Sequence, residues 1–159
     1  MRRGLFAGLT LILTAVPLAV LTSLPAQAAY GVCNADQWRN VGTNEYVKVP
    51  VRTGNGMSCY MGYQQGSNTA VVALQQAIEL CYPNTPAADY IEESGGADGV
   101  YGTGTVKAVR WVQANRLGFE GNDVDGVYGP ATRSAMRWPV YRPISGGYLF
   151  QSCRNPTQI

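Results

Sequence analysis

Apolar and polar positions follow different periods in successive stretches of the chain. Between Leu5 and Leu21 the run is almost wholly apolar, broken only by Gly8, Thr10, Thr14 and Pro17. From Tyr46 to Arg52 the residues alternate as in a half-buried strand; Gly54-Asn55-Gly56 predicts a turn, and Met57 to Tyr63 a returning strand. From Thr69 to Cys81, Val71, Leu74, Ile78 and Cys81 recur at helical spacing, backed by Val72, Ala73, Ala77 and Leu80, and Pro83 ends that helix. The Pro-, Asn-, Ala- and Gly-containing stretch from Tyr82 to Ala97 reads as a loop. A second helix is expected over 103–116, with Ala108, Val109 and Val112 inward, Leu117 beyond its end and Gly118 as its stop. A short third helix is expected over 130–137, closed by Pro139, and Tyr148-Leu149-Phe150 in the tail predicts one more strand, held by Cys153.

Within this pattern one device is written twice. Asp98-Gly99-Val100-Tyr101-Gly102 and Asp125-Gly126-Val127-Tyr128-Gly129 are identical, each is followed three positions later by a threonine, Thr105 or Thr132, and the alignment continues through Ala108 with Ala135. An Asp-Gly pair makes a tight turn: the carboxylate accepts nearby backbone N–H groups while Gly supplies positive φ. Gly102 and Gly129 stand where a helix begins, and Pro130 in the later copy takes the first helical position, where its missing N–H costs nothing. Both copies predict a sharp turn into a helix start.

The beginning of the chain has the three parts of an export signal: Arg2-Arg3, the apolar run, and Ala26-Gln27-Ala28 as a small-residue cleavage site. Cleavage after Ala28 is expected, with no stable membrane insertion of the exported part. Removing Arg2 and Arg3 from the 12 basic residues leaves that part formally neutral against 10 acidic ones. A nucleic-acid partner is therefore unsupported, since phosphate binding needs a surplus of Lys and Arg. Cys33, Cys59, Cys81 and Cys153 all lie after the signal, and an even number in a small exported chain predicts two disulfides among three connectivities. The favoured pairing joins Cys59 to Cys81 and Cys33 to Cys153, which would tie both ends to the middle.

Leu74-Gln75, the first turn with Thr105 and Ala108, Val112-Gln113, and the second turn with Pro130-Ala131-Thr132 and Met136 together resemble the peptidoglycan-binding domain-like family. The resemblance covers roughly 69–138. It implies a compact three-helix bundle of the kind that attaches secreted enzymes to bacterial peptidoglycan, here in a stand-alone form. The chain departs from the family pattern in the long stretch from Tyr82 to Ala97, in Thr103-Gly104 where the first copy would carry Pro, and in its unmatched ends. The expected class is mainly α: a signal over 1–28, an extension with short strands over 29–65, the three-helix unit over 66–139 and a tail over 140–159, the flanks braced by disulfides.

Candidate chemistry divides along the same lines. Asp98, Gly99, Gly102, Thr105, Asp125, Gly126, Gly129 and Thr132 are expected to build the turns, and Gln75 and Gln113 to bond backbone between helices. Tyr101 and Tyr128 are expected to lay their rings against the helices, with a hydroxyl at the rim still able to meet a ligand. Arg110, Trp111 and Arg133 fall off the apolar stripe: an indole can stack on a sugar, and Arg can pair with stem-peptide carboxylates. These five, Tyr101, Arg110, Trp111, Tyr128 and Arg133, are the candidate ligand contacts.

The chain has no histidine, which removes Ser-His-Asp, Cys-His and His-zinc designs, so an enzyme is not expected. Asp123-Val124-Asp125-Gly126 resembles part of a calcium loop, but Gly121 and Thr132 occupy positions that need carboxylates, so no metal or other cofactor is expected. Two other classes stay open: an exported protein-interaction module or inhibitor using Tyr30, Tyr46, Tyr60 and Tyr63, and a small glycosidase drawing on Glu45, Glu79, Glu92, Glu93 or Glu120.

Overall fold

In the computed structural model, which describes residues 30–155 except residue 55, helices and a sheet share one core. The expected signal over 1–28 lies outside the described residues. In chain order the elements are β1 (Gly31–Val32), β2 (Ala35–Gly42), β3 (Glu45–Val51), β4 (Cys59–Tyr60), α1 (Asn68–Cys81), α2 (Pro86–Glu92), α3 (Thr103–Arg116), a 3-10 turn (Gly121–Asp123), α4 (Pro130–Ala135), β5 (Trp138–Ile144) and β6 (Gly147–Arg154). No helix among the described residues is long and apolar enough to cross a membrane.

The mainly α expectation is corrected to a mixed α/β fold. β2, β3, β5 and β6 form one antiparallel sheet in that order, drawing strands from both sides of the helical unit. The alternation over 46–52 marks β3: Val47, Val49 and Val51 are buried with Ala70, Val71, Leu74, Ala77 and Ile78 of α1 in the common core. Its partners come from far along the chain, with Val47 opposite Val140 and Tyr46 opposite Tyr141. Trp138 and Pro139, expected at a helix end, instead begin β5; the Trp138 ring is fully buried and its Nε1 donates to the Arg133 carbonyl at 3.0 Å. The returning strand expected over 57–63 is reduced to β4, which pairs in parallel with β1 and not with β3.

The segment from Tyr82 to Ala97, expected as a loop, contains α2. Pro86 sits in its first turn, where a missing N–H is harmless, and Ala87, Ala88 and Ile91 form its buried stripe. The disulfide expectation is also overturned. Cys33 pairs with Cys59 and Cys81 with Cys153, at Cα separations of 5.0 and 5.4 Å. The β1–β4 pairing sets Gly31 opposite Cys59 and so brings Cys33 beside it, while β6 runs past the end of α1 and delivers Cys153 to Cys81.

Candidate functional site

Each repeated turn is held by a glutamine from the preceding long helix. From α1, Gln75 accepts the Gly99 N–H at 2.8 Å through its carbonyl oxygen. Its Nε2 donates to Asp98 Oδ1 at 2.9 Å and reaches Thr105 Oγ1 and the Val100 carbonyl at 3.0 and 3.1 Å. Asp98 Oδ1 also accepts the Val100 N–H, and the Thr105 hydroxyl donates to the Val100 carbonyl. From α3, Gln113 repeats this on Gly126, Asp125, Thr132 and Val127, with Gly126 N–H at 2.8 Å and Asp125 Oδ1 at 2.9 Å. Both glutamines are fully buried, and their polar atoms are spent inside the fold.

The glycines are required here. Gly99 and Gly126 have φ of 79° and 73°, and a Cβ at Gly126 would come within 2.8 Å of the Val106 carbonyl oxygen. Gly102 and Gly129 are the extended residues preceding α3 and α4. The backbone N–H of Val100, and then the Gln75 amide, hold the Asp98 carboxyl below its ordinary value by bonding its charged form.

The five candidate ligand contacts separate in space. Tyr101 and Tyr128 are interior residues; burial raises both phenol pKa values, and neither ring is available at a surface. The Arg133 guanidinium is turned inward, donating to the Met57 carbonyl at 2.6 Å, so it ties α4 to the chain ahead of β4. Arg110 is exposed and donates to the Asp125 carbonyl at 3.1 Å. Trp111 is half-buried, with the Arg116 guanidinium 5.4 Å from its ring centroid.

Trp111 has company that the sequence pattern did not mark. One turn earlier on α3, Lys107 lies over the Tyr90 ring of α2 at 5.6 Å. α3 carries Lys107, Arg110 and Arg116 and no acidic residue; beside the seam where α2 packs on α3 it sets its own Trp111 next to Arg116, and across that seam Lys107 meets Tyr90. Tyr90 was hidden because α2 was hidden; the helical recurrence of Ala87, Ala88 and Ile91 behind Pro86 was the available signal. Such a seam can stack on the C–H face of a sugar and pair with carboxylates.

Residues 67–136 match the family model described as "Putative peptidoglycan binding domain". The match runs from Ser67, whose hydroxyl caps α1, through both turns to Met136, and it leaves β1 to β4, β5 and β6 outside. No curated protein and no solved structure matches the chain. The resemblance carried by the two turns and the two glutamines is thus found independently.

Proposed function

We propose that the protein is exported and binds cell-wall peptidoglycan without cleaving it, through the seam between α2 and α3. The carrying observation is the run of Lys107, Arg110 and Arg116 on an acid-free helix around Trp111, inside the segment that matches the peptidoglycan-binding family. Stem peptides offer carboxylates to such cations, and the adjoining sugars offer C–H faces to the rings. Two disulfides that brace the fold support an oxidising location outside the cytoplasm.

The test is co-sedimentation of the purified protein with teichoic-acid-free peptidoglycan sacculi, with cellulose as control. Selective pelleting with sacculi supports the proposal, and equal pelleting or none refutes it. Glycoside cleavage has one observation in its favour: burial, and secondarily Glu92, raise the Glu79 carboxyl above its ordinary value, as suits a general acid. Steady release of soluble muropeptides from the same sacculi would establish that second reading.

A further inference from the structure

We propose that the sheet face turned away from the helices is a second binding site, for an uncharged polysaccharide strand whose sugar rings stack on Tyr148 and Phe150. Strand alternation puts Val47, Val49 and Val140 on the helix side and Trp38, Tyr46, Tyr141, Tyr148 and Phe150 on the other. There the rings form a connected cluster. Trp38 meets Tyr141 edge-on at 5.3 Å and stacks on Tyr148 at 4.0 Å, and Tyr46 and Phe150 meet Tyr148 and Tyr141 edge-on at 6.0 Å each.

The Trp38–Tyr148 stack joins the two edges of the sheet. β2 and β6 are separated by β3 and β5, so a flat sheet would hold them about 14 Å apart, further than the two side chains can span. The sheet therefore curls until its edges lean together over β3 and β5, making an aromatic trough. Tyr148 and Phe150 remain 43% and 41% exposed, so both rings are open to solvent.

The chemistry of the trough selects the occupant. Its charged pair, Lys48 with Asp36 at 2.9 Å, is self-neutralised, so the face holds out no charge from that pair to an ionic partner. What it offers is ring faces with negative quadrupoles, phenol hydroxyls and the exposed Asn40 amide at the rim. Pyranose rings present slightly positive axial C–H bonds to the first and hydroxyls to the others. Tyr148 and Phe150, two residues apart on one strand, stand on the same face about 6.8 Å apart. This site lies outside the family-matched segment and shares no residue with the α2–α3 seam, so it stands or falls separately from the proposed function.

The test is a titration of the purified protein with chitohexaose, a neutral linear oligosaccharide, followed by backbone amide NMR shifts. Expected are saturable shifts confined to β2, β3, β5 and β6, weakened about tenfold or more by Phe150→Ala and left unchanged by Arg116→Ala. Absence of shifts, shifts mapping to α2 and α3, or full affinity in a folded Phe150→Ala protein would overturn the proposal. So would a wild-type dimer that Phe150→Ala converts to monomer, since the face would then belong to a second copy. Should Phe150→Ala not fold, the wild-type shift map decides alone.

Discussion

The hydroxyl of Tyr101 lies 3.2 Å from the backbone nitrogen of Tyr128, its own counterpart in the second turn, and donates to the Gly126 carbonyl at 2.9 Å. The first copy of the turn thus clamps the second. The relation is not returned: the Tyr128 hydroxyl is buried without a partner among the described residues, while its ring meets Trp138 edge-on at 6.2 Å. Identical residues in identical local sequence carry different loads because only one of them faces its twin.

The same substitution should therefore give different results at the two sites. Tyr101→Phe is expected to cost about 1–2 kcal/mol, since it strands a buried carbonyl, whereas Tyr128→Phe should be neutral or stabilising by up to about 1 kcal/mol. Denaturant midpoints of the two variants measure this directly. Equal losses would mean that the Tyr128 hydroxyl has a partner after all.

The turn carboxylate sets an acid dependence. Asp98 titrates in the folded protein below its ordinary 3.8, mainly because the Val100 N–H bonds its charged form. Its contribution is accordingly complete above that ordinary value and is lost as pH falls through the lower folded value. Asp98→Asn should melt below wild type at neutral pH, and the two curves should converge in strong acid. A gap that persists in strong acid would assign the loss to packing.

Retention on sacculi should separate cations that look alike in sequence. Trp111→Ala and Arg116→Ala are each expected to reduce retention about fivefold or more, with little change in melting temperature for Arg116→Ala and a lowered one for Trp111→Ala, whose ring also packs against the core. Arg133→Ala should do the reverse, lowering stability while sparing retention, because its guanidinium is bonded to the Met57 carbonyl. If Arg133→Ala abolished retention in a folded protein, the seam between α2 and α3 would not be the site.

The disulfides close loops of different length. Cys81–Cys153 spans 72 residues and Cys33–Cys59 spans 26, so chain entropy predicts losses of about 4.4 and about 3.5 kcal/mol on replacing each pair by alanine. Peptide mapping of the unreduced protein checks the connectivity itself, and a Cys59–Cys81 peptide would contradict the fold.

What could be read from sequence was whatever is local. α1 and α3 announce themselves by stripes that end up buried, Val71, Leu74 and Ile78 in one and Ala108, Val109 and Val112 in the other. The turns announce themselves by repetition. α2 does not, because Pro83, Pro86, Gly95 and Gly96 around it mimic a loop. β5 is masked by Pro139 and Pro143, which normally argue against an inner strand. It tolerates them because β3 pairs with it only at Val140 and Tyr141. The four-stranded sheet and the two disulfides depend on which separated segments meet, and no periodicity reports that. For the same reason Arg110 and Trp111 were found from helical phase, while Tyr90 and the trough of Trp38 and Tyr148 were not.

The order of strands in the sheet also dictates when this molecule can exist. β3 is made early, yet the strand that covers its inner edge, and the cysteine that locks α1, arrive only with β5 and β6 near the other end of the chain. A chain emerging N-terminus first can form its helices and join Cys33 to Cys59 early, but its β3 edge stays open until β5 and β6 have been made. Loss of the final dozen or so described residues should therefore leave an unfinished, adhesive intermediate instead of a smaller version of the same protein.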